Sequence, residues 1–240
     1  MNISVDHRPW PLPQEPWIMR QTWRNLLFIH WSFPANLLQK FIPSPLKLDT
    51  FDGSAWLGVV PFQMTDVGLR GLPCISFNEL NVRTYVTDGH KPGVWFFSLD
   101  VENLFAACLA RWWYHLPYFH ASMHSTCKEG SFSYLNERKS GGSAEFAADY
   151  GPNSKIFKAL PKSREYWLTE RYCLYSIDRK NLCRAEIHHD PWQLQEAVLS
   201  LRKNTMIRAL GIEQPNDKPV LHFSKKQEVL IWNIKKVRQL

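Results

Sequence analysis

The clearest pattern in the chain is an alternation. In "NELNVRTYV", residues 78 to 86, Glu79, Asn81, Arg83 and Tyr85 take one set of positions. Leu80, Val82, Thr84 and Val86 take the other. Successive side chains of a strand point to opposite faces, so this strand has a polar and a largely apolar side. The polar side either meets water or lines the inside of a closed sheet.

Similar reasoning extends along the chain. "RPWPLPQEP", residues 8 to 16, carries four prolines and reads as an extended arm, because proline removes a donor from any sheet. "IMRQTWRNLLFIHW" reads as a strand or a short helix, and "PANLLQKFIP" as a short helix opened by Pro34 and stopped by Pro43. "LKLDTFDGSAWLGVVPFQM" predicts a hairpin turning at Asp52-Gly53. After residues 78 to 86, "TDGHKPG" turns the chain into a strand at "VWFFSL". Val101, Leu104, Phe105, Cys108, Leu109 and Trp112 recur at helical spacing, with Asp100 as the cap and Pro117 as the stop. "YFHASMHSTC", "SFSYLNER" and "SAEFAADY" read as three short strands. "GPNSKIFKALPKS" reads as a surface loop. "YWLTERYCLYSI" and "LCRAEIHHD" read as a strand pair, "WQLQEAVLSL" is ambiguous, and "NTMIRALGI" is a short helix ended by Gly211. "PVLHFSKKQEVLIWNIKKV" is mostly strand. Many short strands with few helices predict a mainly β (α+β) fold, an antiparallel barrel or sandwich, as one domain over residues 1 to 240 with its arm at about 1 to 16.

Composition narrows the function. A hydrophobic content of 45% over 240 residues is enough for a real core. Eleven tryptophans supply large buried surfaces and suit either a core or a ligand pocket. The net charge of +7 invites a nucleic-acid reading. The basic residues are scattered, however, and densest only at Lys225, Lys226, Lys235, Lys236 and Arg238, so nucleic acid is disfavoured as a partner. The five cysteines lack C-x-x-C spacing and read as free core thiols in a reducing compartment. No basic-then-apolar leader and no long apolar run occurs. The expectation is a cytoplasmic protein without membrane attachment, monomeric or homo-oligomeric.

Three groupings carry chemistry. Glu79 and Arg83 suit either an ion pair or a site in which Arg83 holds an anion and Glu79 moves a proton; the plain alternative is a solvated strand face. Asn81 and Tyr85 share that face as ligand-binding candidates. In "ARWWYHLPYF", Arg111, His115 and Tyr118 cluster where the helix turns back, beside Tyr114; the plain alternative has Arg111 and His115 on the last helical carbonyls. Glu186, His188, His189 and Asp190 are metal-ligand types, but adjacent strand histidines point apart, so no metal is expected, and no cofactor. No G-x-S-x-G, Walker or G-x-G-x-x-G motif occurs.

Taken in order, "FDGSAWLGVVPFQM", "FNELNVRTYV", "PGVWFFSLD" and "AR…LPY" resemble the YqjF-like family of uncharacterised bacterial proteins, grouped with the acetoacetate decarboxylase-like superfamily. The resemblance covers roughly residues 15 to 235. It implies an antiparallel barrel or cone with a mainly apolar cavity, into which the Glu79 face would look. It also implies, for the decarboxylases, a lysine that forms a Schiff base. Arg111 and Pro117 match that motif's outline, but Tyr118 and Phe119 stand where paired lysines belong, and neither can form an imine. Glu79 resembles the pocket glutamate. The expectation is a barrel pocket for a small hydrophobic or carboxylate-bearing ligand, without Schiff-base chemistry. The alternative is an enzyme acting on a small keto acid or enol, with Glu79 as acid or base, Arg83 on the anion and Tyr118 donating a hydrogen bond.

Overall fold

The computed structural model describes residues 4–70, 73–103 and 113–240. Among them thirteen strands join one sheet. They are β1 (Met19–Pro34), β2 (Lys47–Leu48), β3 (Ser54–Leu69), β4 (Ile75–Thr87), β5 (Pro92–Val101), β6 (Tyr118–Lys128), β7 (Ser131–Arg138), β8 (Glu145–Pro152), β9 (Cys173–Asp178), β10 (Asn181–His189), β11 (Gln195–Asn204), β12 (Val220–Ile231) and β13 (Lys235–Gln239). They are accompanied by the short α-helices α1 (Ala35–Gln39) and α2 (Arg164–Thr169) and by a single 3-10 turn at Arg208–Leu210, ended by Gly211. No helix among the described residues is long and apolar enough to cross a membrane.

The sheet closes on itself. Strands β5, β6, β7, β8, β11, β12, β1, β3 and β4 pair in turn, and β4 pairs back to β5 to complete a nine-stranded barrel. A second circuit uses β9 and β10. β9 pairs with β5, β10 with β9, and β10 with β12, so these two strands close a smaller ring with β12, β1, β3, β4 and β5. The sheet is mixed rather than purely antiparallel, because β5 runs parallel to both β6 and β9. Parallel neighbours need a long crossover, and the stretch between Val101 and Tyr118 supplies one of them.

The wall common to both rings is β12, β1, β3, β4 and β5, and this explains the sequence of its central strands. "NLLFIHWSF" in β1 and "AWLGVVPF" in β3 are nearly unbroken apolar runs because both faces of these strands are dry. Leu27, Ile29, Trp31, Val59, Leu80 and Val82 pack inside the nine-stranded ring with Tyr134, Phe146 and Tyr150. Leu26, Phe28, Val60 and Phe62 face the other way, into the smaller ring, with Phe77 and Trp192.

Several expectations change on this frame. Asp100 does not cap a helix. It ends β5, fully buried, and accepts from Arg138 Nη2 at 2.6 Å and Nε at 3.0 Å and from Asn136 Nδ2 at 2.9 Å. Val101 also belongs to β5, and positions 104–112 of the expected helix lie outside the described residues. "YWLTERYCLYSI" is not one strand. Ser163 accepts from Tyr166 N and caps α2, Glu165 favours its first turn, and only Cys173 onwards is strand. Asp52 and Gly53 both have positive φ, as a tight turn demands, but the turn is closed by one bridge between Phe51 and Ser54. β2 pairs instead with Thr87 and Val86 of β4.

The Asp100–Arg138 pair generates a stability prediction. Arg138→Met leaves a buried carboxylate without its cation, so it should cost about 3–5 kcal/mol. Urea unfolding of the variant beside the parent measures this, and a loss below 1 kcal/mol counts against the pair's role.

Candidate functional site

Within the smaller ring lies a chamber of about 290 Å³. Its wall is mostly apolar, with Trp23 and Leu26 from β1, Val60 and Phe62 from β3, Phe77 from β4, Leu174 from β9, Ile187 from β10 and Ile231 from β12. The polar exceptions are concentrated on β4, where Glu79, Asn81 and Arg83 all reach it, with Tyr118 from β6 nearby. The alternation at 78–86 therefore separates two interiors. Leu80 and Val82 enter the core of the nine-stranded ring, while the polar set enters the chamber.

Glu79 is buried, and Tyr118 Oη donates to its Oε2 at 3.4 Å. Asn81 Nδ2 donates to Oε1 at 3.4 Å. Burial pushes the carboxyl up to about 8; these two hydrogen bonds oppose the shift, and Arg83 opposes it least. At neutral pH the group is mostly a neutral acid and can donate. Burial likewise raises the Tyr118 phenol well above its ordinary value, with Glu79 adding to the effect. Tyr134 Oη shares its one hydrogen between the backbone oxygens of Glu79, at 2.8 Å, and Phe62, at 3.1 Å, which fixes the strand behind the carboxyl.

Arg83 is buried too, but no carboxylate among the described residues lies within ion-pair distance of it. Its guanidinium carbon sits 5.2 Å from the Phe28 ring centre and 5.9 Å from that of Tyr85. Aromatic faces offset part of the cost of burying a cation. Its Nε has no acceptor, and Asn81 Oδ1 has no donor. An open donor, an open acceptor and a neutral carboxylic acid thus stand in a row on one strand of a dry chamber. Such a set can receive an anion beside a hydrogen-bonding group.

The remaining candidates separate. Tyr85 is fully buried off the chamber wall. Its Oη donates to Leu168 O at 2.7 Å and contacts His30 Nε2 at 2.7 Å. His115, with positive φ, sits half-buried with Nδ1 3.9 Å from Asp178 Oδ1, also off the wall. Arg111 lies outside the described residues. His188 meets Arg8 Nη1 at 3.4 Å, and His189 contacts the backbone oxygens of Asp190 and Arg171. Among the described residues no three metal-ligating side chains are grouped to hold an ion. No lysine lines the chamber, and residues 71–72 and 104–112 contain none in sequence. Sequence reasoning missed Tyr134, Asn136 and Arg138, which support Glu79 and Asp100 from β7. Alternation in "SFSYLNER" marked Tyr134, Asn136 and Arg138 as one face, and that was the available signal.

A closed mixed barrel with an apolar inner chamber defines a class, the acetoacetate decarboxylase-like fold. The chain superposes on acetoacetate decarboxylase from Legionella pneumophila with a TM-score of 0.63 and 16% identity, covering 98% of this chain and 94% of that one. It superposes on the enduracididine biosynthesis enzyme MppR complexed with pyruvate with a TM-score of 0.65 and 11% identity, covering 97% and 94%. Identities this low establish the fold alone. Within that class the chain belongs to the DUF2071 family of uncharacterised conserved proteins, whose pattern matches residues 20–228. It is 45% identical over 239 residues to the uncharacterised protein YqjF of Bacillus subtilis (strain 168), covering 98% of this chain and 96% of that protein.

The raised Glu79 value fixes a pH dependence. The unfolded carboxyl ionises near 4.5 and the folded one near 8. The folded state therefore holds its proton more tightly. The contribution is fully present below about pH 4.5 and is lost as pH rises through about 8, at about 1.4 kcal/mol per unit. Urea unfolding at pH 5 and pH 9 should show Glu79→Gln losing less stability than the parent. Identical pH profiles would contradict the burial argument.

Proposed function

We propose that the chain binds a small carboxylate with an apolar body in the chamber of the smaller ring, without Schiff-base chemistry. The observation that carries this is Arg83, a desolvated guanidinium that faces the chamber with no carboxylate beside it among the described residues. Burying an unpaired cation is costly, and an incoming carboxylate would remove that cost. Glu79, kept neutral, would not repel the anion and would donate a hydrogen bond to it or to a neighbouring carbonyl. The apolar wall would cover the remainder, and the chamber is near the lower end of the range for small-molecule sites. MppR, which is complexed with pyruvate, agrees in ligand class. A reducing cytoplasm suits the free thiols at Cys74, Cys127, Cys173 and Cys183.

The test is thermal stabilisation and tryptophan quenching with short aliphatic and aromatic carboxylates against their amides. Carboxylates should stabilise the protein and amides should not. Arg83→Met should weaken carboxylate binding roughly tenfold or more, the equivalent of one charge-assisted hydrogen bond. It should leave the apo protein about as stable as the parent, since Arg83 contacts Tyr85 but no carboxylate among the described residues depends on it. Equal responses to acids and amides would remove the reading.

A second reading is favoured by one specific observation. Glu79, with its ionisation near 8 and Tyr118 beside it, is tuned for proton transfer. On this reading the protein enolises a small keto acid, with Arg83 on the carboxylate and Glu79 moving the α-proton. Deuterium incorporation at the α-carbon of short keto acids should then be accelerated by the parent, and Glu79→Gln should lose at least about a hundredfold, the usual scale of acid–base catalysis. Binding without exchange would leave the protein a receptor.

A further inference from the structure

Farther along the strands that carry the chamber, a second set of polar groups is buried. Register fixes their neighbourhood. His30 of β1 is opposite Gly58 of β3 and Val220 of β12. Trp56 lies two residues from Gly58, and His222 two residues from Val220. Both share a face with His30 as its diagonal neighbours, about 7–8 Å away along the backbone. Gly58 leaves the space that the His30 ring fills; a Cβ there would stand 2.9 Å from the ring.

The hydrogen-bonding capacity of this row is unmet. Tyr85 Oη donates to Leu168 O, so it accepts from His30 Nε2, which must carry the hydrogen. His30 Nδ1 is then a bare acceptor, buried, with no partner. Trp56 Nε1 is a buried donor with no partner, and His222 Nδ1 is equally open. Arg164 of α2 covers Trp56, its guanidinium carbon 5.7 Å from the ring centre, and its Nε is a further open donor. His30 is more than nine-tenths buried, as are Trp56 and His222. Leaving such atoms unpaired is costly, and buried polar groups that lack protein partners are met by internal water.

A groove lies at the outer end of this row. His222 and Arg164 line it, its volume is about 540 Å³, and its other walls include Phe157, Leu160, Pro219 and Leu221. We propose that the buried row of Trp56, His30, His222 and Arg164 is a binding site for a short chain of ordered water, running inward from this groove and ending on the His30–Tyr85 pair. Donors and acceptors are present in the mixture water requires. Glu165 already pairs with Arg164 at 3.2 Å, so neither a cation nor an anion is favoured. Since Tyr85 packs against Arg83, the chain makes a solvated support behind the chamber's cation. It also gives the closed end of the ring a route to bulk solvent.

The test uses the full-length protein with its indole nitrogens labelled, the Trp56 signal being identified by its loss in Trp56→Phe. The Trp56 indole hydrogen should show a cross-peak to a long-lived water, and it should exchange with solvent at least tenfold faster than the indole hydrogen of Trp192, which is bonded to Thr169 O. Crystals diffracting well enough to reveal solvent should show water within hydrogen-bonding distance of His30 Nδ1 and of either Trp56 Nε1 or His222 Nδ1. Arg83→Met should leave both signatures intact, so failure of carboxylate binding and failure of this site are distinguishable. A dry row, with no cross-peak and exchange as slow as that of Trp192, would overturn the proposal.

Discussion

The structure depends on β4 being buried on both faces. Two closed rings share this strand, and from Glu79 to Val86 the side chains on either face are buried. On one side that is ordinary, since Leu80 and Val82 join an apolar core. On the other it places an acid, an amide and a guanidinium in an apolar chamber. Everything proposed for the site follows from desolvation. Burial holds the Glu79 carboxyl neutral near pH 7, and it leaves the Arg83 charge among aromatic rings with no carboxylate beside it among the described residues, the ground on which an anion site is proposed.

The same constraint explains the supports. A backbone carrying buried polar side chains must be held firmly, and Tyr134 does this with one hydroxyl shared between β3 and β4 backbone oxygens. Just beyond, Asp100 is neutralised by a two-pronged contact with Arg138, whose guanidinium also lies 4.2 Å over the Phe119 ring. The interior tolerates charge where a partner or an aromatic face is built for it. At Arg83 the aromatic faces are present, and no carboxylate among the described residues lies beside it.

Much of this was legible in the sequence. The alternation in "NELNVRTYV" identified Glu79, Asn81 and Arg83 as one face, and the ordered motifs pointed to a barrel whose interior that face would line. Tyr118, singled out because the resemblance sets it at the decarboxylases' lysine position, contacts Glu79. What failed did so for physical reasons. Asp100 looks like a helix cap because short acids favour caps, and nothing local reveals an arginine 38 residues away. Tyr85 shares the period of Arg83, but the pairing of β4 with β5 shifts register between Val82 and Arg83, and Tyr85 ends beneath α2 rather than on the chamber wall. The cap at Ser163 was readable, with Glu165 two residues on, yet the apolar content of "YWLTERYCLYSI" hid the break between α2 and β9. The second ring, closed by β9 and β10, depends on pairings between distant strands that no local pattern encodes.

The central claim is that Glu79 occupies a dry interior with Arg83 at its side. It is tested most directly by following the Glu79 side-chain carboxyl carbon by NMR across a pH titration, assigned by comparison with Glu79→Gln. The account predicts ionisation near pH 8, moving upward when a carboxylate occupies the chamber. A midpoint near 4.5, unchanged by any such ligand, would contradict it.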